Sequence, residues 1–201
     1  MRLLARRLRR AGFETRCFGY PSRDPVEANA RRLSAWLAEQ GLTGARAPHF
    51  VAHSLGGLVL AHFLARQPPP SPPRMVLLGT PLHGSGVARQ LARLRIGRWL
   101  LGGALTAGLL GGAPGLPPGR ILLIAGRRAI GPGRLVPGGL AGPSDGTVAV
   151  AETRSPALAD HRILPVNHFG MLISRQVADE TIAFLDSPAP APPKQDGPAP
   201  P

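Results

Sequence analysis

Short apolar runs recur along the chain and predict the strands of a sheet. Runs at residues 49–53, 75–79, 121–126 and 162–166 are almost uniformly apolar, and residues 13–18 alternate in the manner of a half-buried strand. Uniformly apolar strands are typical of parallel sheets that are covered by helices on both faces. The pattern therefore predicts an α/β fold with a mostly parallel sheet.

Segments with helical periodicity fall between these runs. They predict helices over residues 25–41, 55–66 and 170–185, and a helical region with glycine interruptions over about residues 87–110. A further helix opens the chain, with its leucines on one stripe and a cluster of arginines on the other face. Strands that alternate with helices in this way fit the predicted sheet with helices on both sides.

The net charge of +13 does not by itself indicate a nucleic-acid partner. Lys194 is the only lysine, the arginines are scattered, and only 4% of the residues are aromatic, so no stacking platform for bases is apparent. The arginine cluster of the first helix could contact phosphate or anionic lipid, but a solvated surface face is the favoured interpretation. We therefore expect no nucleic-acid partner.

The length of 201 residues suits one domain, which we place at residues 1–186. Within it, about residues 86–118 are interpreted as a lid or cap segment. The glycine-rich apolar stretch at residues 100–116 is not read as a membrane span, because its glycines, Pro114 and its short length argue against one. Residues 187–201 are rich in proline and are expected to form a disordered tail. The N-terminus lacks the apolar region of a secretory signal, so the chain as written is expected in the cytoplasm, and a segment upstream of Met1 could change that location.

One serine stands where a strand is predicted to turn sharply into a helix. The sequence Ala-His-Ser-Leu-Gly-Gly at residues 52–57 places small residues two positions before and two positions after Ser54. A tight turn needs small residues there, and it would expose the Ser54 hydroxyl as a nucleophile. The backbone N–H of Leu55, at the start of the next helix, would then face a developing oxyanion. The alternative is that Ser54 only caps this helix.

A base and an orienting acid are expected at the carboxyl ends of later strands. His168 directly follows the last predicted strand, and Asp145 stands in a Ser-Asp-Gly turn after the third buried strand. The order serine, acid, histidine along the chain is the order expected when a nucleophile elbow opens such a site. Glu152 and Asp160 are weaker candidates for the acid, Asp160 because it precedes a strand.

The other histidines are expected to be structural or surface residues. His53 adjoins the proposed nucleophile and is expected to support the turn, and His83 lies in a loop near the site. The remaining three lie at a strand start, inside a helix and before the last strand: His49, His62 and His161.

Four motifs together resemble the bacterial lipase and carboxylesterase branch of the α/β-hydrolases. They are the serine motif at residues 52–57, Gly-Thr-Pro-Leu-His-Gly-Ser at residues 79–85, Ser-Asp-Gly-Thr-Val at residues 144–148 and Asn-His-Phe-Gly-Met-Leu at residues 167–172. The resemblance implies hydrolysis of carboxylic esters, such as acylglycerols, without a cofactor or metal. It also implies that Ser54 attacks, His168 relays the proton and Asp145 holds the imidazolium.

The resemblance further implies a strand that the chain lacks. In the family, a central strand ending in His-Gly precedes the first helix, supplies a second oxyanion donor and lies between the strands that correspond to residues 13–18 and 49–53. The sequence thus looks N-terminally truncated relative to the family. Either the true start lies upstream of Met1, or another element fills the gap, or the protein is a degenerate relative.

The sequence is compatible with two functions. The first is a serine hydrolase that cleaves carboxylic esters through an acyl-enzyme, with a small-molecule ester or acylglycerol as substrate and contact with a lipid interface. The second is a catalytically impaired or inactive scaffold of the same fold that binds a lipid or a protein partner. Oligomeric state does not follow from the sequence.

Overall fold

A four-stranded parallel sheet forms the centre of the molecule. The structure is a computed structural model that describes residues 1–71, 73–95, 102–117 and 120–187. The strands follow one another across the sheet in chain order, and every neighbouring pair is parallel. They are β1 (Phe50–His53), β2 (Met75–Leu78), β3 (Ile121–Gly126) and β4 (Asp160–Leu164). The predicted α/β class with a mostly parallel sheet is confirmed.

Five α-helices are described, and short 3₁₀ turns link them to the strands. The α-helices are α1 (Arg2–Arg10), α2 (Val26–Glu39), α3 (Leu55–Arg66), α4 (Gly86–Leu91) and α5 (Arg175–Asp186). The shorter turns are Gly44–Arg46, Gly102–Ala104, Pro132–Leu135, Val150–Thr153 and Gly170–Leu172, and Leu105–Leu110 forms a π-helical turn.

The core has two parts, one on each face of the sheet. Alternate side chains of β2 and β3 point to opposite faces, as the pleat of a strand requires. Leu77 and Leu123 pack with the helices α2 and α3, whereas Val76 and Ile124 pack with α1 and α5. Both central strands are buried along their whole length. Helices therefore cover both faces, as the apolar runs predicted.

Residues 13–18 do not form the predicted strand. Phe13 packs with the apolar cluster on the α1 and α5 face, and Phe18 packs with the cluster on the α2 and α3 face. No backbone hydrogen bond joins residues 14–20 to the sheet. The alternating pattern thus reflects a segment that passes from one face to the other, and without a neighbouring strand it cannot form a ladder.

β1 lies at one edge of this sheet. It pairs with β2 on one side, and no strand among the described residues pairs with its other side. All four residues of β1 are only partly buried. The central strand that the resemblance implies would stand at this edge, and no strand among the described residues pairs there.

Other predicted boundaries need smaller corrections. β4 begins and ends two residues earlier than the predicted span of 162–166, and the last helix begins at Arg175 after a short turn. The region of residues 86–118 contains α4 and two short turns, and its residues 96–101 and 118 lie outside the described part. Of the predicted tail, residues 188–201 also lie outside it. In the described part of the chain, no helix is both long and apolar enough to span a membrane.

Candidate active site

Ser54 occupies a strained turn between β1 and α3. Its φ and ψ are 54° and −124°, and it is the only non-glycine residue with a positive φ in the described part of the chain. Such a conformation costs about 1–3 kcal/mol and persists only where the surroundings impose it. Here the Ser54 N–H donates to the carbonyl of Leu78, 2.8 Å away, at the end of β2. The strain therefore sits at the residue that the sequence singled out.

The Ser54 hydroxyl does not cap α3. Ser54 holds the position before the first helical residue, yet its side chain makes no capping hydrogen bond. The N–H of Leu55 likewise donates to no described residue, which leaves it free in the first turn of the helix. The helix-cap interpretation is therefore wrong, and a free hydroxyl and a free N–H donor lie side by side.

Thr80 supports this turn from the loop after β2. Its buried hydroxyl donates to the carbonyl oxygen of Ser54 at 3.1 Å. The contact is possible because residue 57 is glycine: a Cβ on Gly57 would overlap the Thr80 side chain. Ala52 and Gly56 face each other across the turn, where a Cβ on Gly56 would lie 3.8 Å from that of Ala52. Close packing thus requires glycine at residue 57, whereas the separation of 3.8 Å at residue 56 is an ordinary van der Waals contact.

Asp145 and His168 form a buried pair at the carboxyl ends of β3 and β4. His168 Nδ1 lies 2.7 Å from Asp145 Oδ2, and the two side chains are 4% and 1% exposed, in that order. The other carboxylate oxygen, Oδ1, accepts the N–H groups of Thr147 and Val148 at 2.9 and 2.7 Å. Because both oxygens of Asp145 are held by hydrogen bonds, the carboxylate orients the ring of His168 with the proton on Nδ1. The other ring nitrogen, Nε2, is then a base.

Gly79 brings this pair against the end of β2. A Cβ on Gly79 would lie 3.0 Å from Asp145 Oδ2 and 3.1 Å from His168 Nδ1, and its φ is +56°. The backbone beneath the pair therefore approaches so closely that a side chain at residue 79 would displace the pair by a few tenths of an ångström. Gly79 precedes Thr80, so consecutive residues contact the Asp145–His168 pair and the Ser54 turn. No hydrogen bond joins the Ser54 hydroxyl to His168 in this structure.

The alternative acids have other contacts. Asp160 starts β4 and pairs with Arg162, at the opposite end of the sheet from His168. Glu152 accepts the N–H groups of Gly86 and Ala149, and so ties α4 to the turn that carries Asp145. Both carboxylates have structural roles, which leaves Asp145 as the acid that contacts a histidine at this end of the sheet.

Comparison with known proteins defines the fold. No family model and no curated protein matches the sequence. Among solved structures, the lipase BlEst2 of Bacillus licheniformis is similar in two forms, each with 18% sequence identity. The mature form has a TM-score of 0.60, covering 90% of this chain and 80% of that one. The propeptide form has a TM-score of 0.68, covering 92% of this chain and 46% of that one.

The chain has the α/β-hydrolase fold. In this fold, catalytic groups stand at the carboxyl ends of the strands. Ser54, Asp145 and His168 follow β1, β3 and β4 at that end, so the three sequence candidates lie where α/β-hydrolases carry their chemistry.

Three further histidines of this α/β-hydrolase fold serve the scaffold or face solvent. His49 accepts the N–H of Arg74 at 3.2 Å, and His161 bonds to the Thr153 hydroxyl at 2.9 Å. Burial lowers the pKa of both below the usual value, and nearby arginines lower it further. His83 is exposed in the loop after β2.

His53 differs from these histidines because it contacts His168. Its Nε2 lies 2.9 Å from the carbonyl oxygen of His168, and the two ring centroids are 4.5 Å apart. Burial, followed by the neighbouring His168, lowers the pKa of His53 to about 4. The sequence indicated only that His53 supports the turn. Its contact with a residue 115 positions away has no local signal.

Part of the predicted lid segment lies over the start of α3. The Ser85 N–H donates to the carbonyl of Leu109 at 2.7 Å, and the Ala113 N–H donates to that of Leu82 at 2.9 Å. A Cβ on Gly108 would lie 3.7 Å from Leu55 Cδ1. This segment therefore borders the candidate site. In the described ranges, no three side chains of the His, Cys, Asp and Glu types are grouped to hold a metal ion.

Proposed function

We propose that the protein is a serine hydrolase that cleaves carboxylic esters through an acyl-enzyme. Ser54 is the nucleophile, His168 the general base and acid, and Asp145 the residue that orients His168. The observation that carries this proposal is the strained Ser54 turn with an uncapped hydroxyl, beside a buried Asp145–His168 pair 2.7 Å apart. A purely structural serine gains nothing from such strain.

The first half of the reaction forms the acyl-enzyme. His168 Nε2 takes the hydroxyl proton of Ser54 while the Ser54 oxygen bonds to the ester carbonyl carbon. The N–H of Leu55 donates to the resulting oxyanion, an interaction worth about 3–4 kcal/mol in comparable sites. When the tetrahedral intermediate collapses, the C–O bond to the alcohol breaks and His168 returns the proton to the leaving oxygen.

The second half releases the acid. Water gives a proton to His168 Nε2 as its oxygen bonds to the acyl carbon, and the bond to the Ser54 oxygen then breaks. His168 returns its proton to Ser54, so the enzyme is regenerated and one carboxylic acid leaves. Asp145 remains ionised throughout and stabilises the imidazolium.

A small-molecule ester or an acylglycerol is the proposed substrate class. Segment 86–118 is proposed as a lid whose apolar residues accept the acyl chain, since Leu109 and Ala113 pack beside Leu55 in the same cluster. Contact with a lipid surface belongs to the same proposal, because Phe169 and Ile173, which follow His168, are 62% and 63% exposed.

The direct test is labelling with a fluorophosphonate together with hydrolysis of p-nitrophenyl esters of short and long chain length. We expect a single label on Ser54, and we expect the Ser54→Ala variant to lose both labelling and turnover while it keeps the melting temperature of the wild type. The alternative is an inactive scaffold of the same fold. It predicts a folded protein without a label and a Ser54→Ala variant that is indistinguishable from the wild type.

The lipid contact has its own test. An Ile173→Ser variant should hydrolyse an emulsified long-chain ester more slowly than the wild type, with an unchanged rate on a soluble short-chain ester. Equal rates on both substrates would remove lipid contact from the proposal without affecting the ester hydrolase itself.

A further inference from the structure

We infer that His53 is a positioning residue: its Nε2–H donates to the backbone carbonyl of His168 and holds that residue in place for proton transfer with Ser54. The inference rests on the proposed function and adds to it a residue outside the Ser54, Asp145 and His168 set. In this role, His53 holds His168, the proposed base, beside the end of β1.

The contact fixes the protonation of the His53 ring. A carbonyl oxygen only accepts, so at 2.9 Å the His53 Nε2 carries the proton and donates it to the oxygen of His168. His53 Nδ1 is then unprotonated in the neutral ring. Because Nε2 carries the proton and donates it to the carbonyl, this nitrogen is not available to take the proton of Ser54.

His168 is anchored from two strands at once. Its N–H donates to the carbonyl of Asp145 at 2.9 Å, and its ring donates to the Asp145 carboxylate at 2.7 Å. Both of these bonds come from the turn after β3. The bond from His53 comes from the end of β1, so it is the hydrogen bond that ties His168 to the strand that carries the nucleophile.

His53 and Ser54 are consecutive residues, so the hydrogen bond of His53 connects His168 closely to the nucleophile. The position of His168 relative to Ser54 is set through one peptide unit, the His53 side chain and one hydrogen bond. Reacting groups need alignment within a few tenths of an ångström, and a displacement of about 1 Å can lower a rate by about 100-fold. The His53 bond therefore acts on the rate of the chemical step rather than on substrate binding.

The charge of His53 is also suited to its position. The rings of His53 and His168 are 4.5 Å apart, and in the proposed reaction His168 becomes protonated. Two imidazolium rings at this distance would repel each other. Burial and His168 lower the pKa of His53, whereas the hydrogen bond to His168 and the Asp145 carboxylate act in the opposite direction, and the result is a value of about 4. His53 is thus neutral at any pH well above its pKa of about 4.

Three substitutions of His53 separate positioning from packing. The amide nitrogen of glutamine reaches about as far as Nε2, that of asparagine reaches only as far as Nδ1, and leucine donates nothing. We expect His53→Leu and His53→Asn to lower kcat by about 10- to 100-fold with KM nearly unchanged. His53→Gln should recover most of kcat. The rate of fluorophosphonate labelling of Ser54 should follow the same order.

A readout that does not depend on turnover accompanies the kinetics. The His168 Nδ1 proton in its bond to Asp145 is expected as a far-downfield proton resonance that exchanges slowly with water. It should exchange faster in His53→Leu and His53→Asn than in the wild type and His53→Gln. If the wild type shows no labelling but this order of exchange rates holds, the proposed function fails and the positioning role stands.

Two results would overturn the inference. In the first, His53→Leu keeps the kcat and the His168 proton exchange of the wild type. In the second, all three variants lose kcat in proportion to a loss of thermal stability, and glutamine gives no recovery. The second result would identify His53 as a packing residue of the turn.

Discussion

Gly79 shows how a single backbone position determines the geometry of the site. Its φ of +56° is open to glycine, and the space where a side chain would stand is taken by Asp145 and His168. Both requirements act at the same residue, as they also do at Gly102 and Gly112, whereas Gly12 and Gly142 meet only the first. The two contributions can be separated by substitution.

We expect Gly79→Ala to lower kcat/KM by about 100-fold, because the added methyl group displaces the Asp145–His168 pair. The matched control is Gly142→Ala. Gly142 has a φ of +70° and no atom within 4 Å of a Cβ position, so this variant carries the backbone strain without the crowding. Both variants should lose about 1–2 kcal/mol of stability, and kinetics with urea unfolding measures both effects. Equal activity in the two variants would contradict the role of the close approach.

The pH dependence of stability should report on His53. Its pKa falls from 6.5 in an unfolded chain to about 4 in the fold, first because of burial and then because of His168. Between these two pH values the unfolded state binds the proton and the folded state does not, so stability falls as the pH falls from 6.5 to 4. Above pH 6.5 the contribution is fully present.

The comparison with His53→Gln isolates this contribution from that of the other histidines. From pH 7 to pH 4 the wild type should lose on the order of 3 kcal/mol more than the variant in urea unfolding. Parallel curves for the two proteins would show that His53 titrates normally in the fold.

At the scale of elements, the sequence correctly predicted the strands and helices whose pattern does not depend on a distant neighbour. β3 and α3 begin and end at the predicted residues 121–126 and 55–66, because a uniformly apolar run and a tight small-residue turn are both local signals. Residues 13–18 carry an alternating pattern too, but a strand needs a neighbour, and pairing is not a local property.

In the candidate site, too, some features could be predicted from the sequence and others could not. Ser54, Asp145 and His168 follow predicted strands, so their common edge of the sheet could be inferred from the sequence. The hydrogen bonds of Thr80 to Ser54 and of His53 to His168 could not, because each joins loop ends that are distant in sequence. These contacts depend on the register of β1 against β2 and on the course of the loops after β2 and β4, which only the folded chain defines.

Thr80, in the loop after β2, is hydrogen-bonded to the turn that begins α3, so we expect Thr80 variants to change both activity and stability. Thr80→Val keeps the packing against Gly57 but loses the hydrogen bond to the Ser54 carbonyl, and it should lower both kcat and stability, the latter by about 1 kcal/mol. Thr80→Ser keeps the hydroxyl, so it should retain kcat even though the lost methyl group lowers stability. Melting temperatures and steady-state kinetics of both variants give the comparison. If serine and valine lower kcat equally, the hydrogen bond does not hold the turn.

At the scale of the whole molecule, the sheet is buried at its centre, and among the described residues β1 has a paired strand on one side only. The N–H groups of Phe50 and Ser54 donate towards the β2 side, to Arg74 and Leu78. N–H groups alternate between the two edges of a parallel strand, so those of Val51 and His53 face the open edge.

Hydrogen exchange followed residue by residue should reveal this asymmetry. We expect the amides of Val51 and His53 to exchange far faster than those of Leu77 and Leu123 in the buried strands, because they lack a carbonyl partner. Slow exchange at Val51 and His53 would mean that a further strand pairs with β1 in solution.

Because the Ser54 turn lies on an edge strand, activity and overall fold are expected to be lost at different temperatures. Edge elements open with lower free energy than the core, so β1 can detach while β2 and β3 stay packed between their helices. On heating, the proposed enzyme should therefore stop turning over substrate several degrees before its helices melt, and it should recover its rate on cooling. Its upper working temperature would then be set by one short strand at the margin of the sheet.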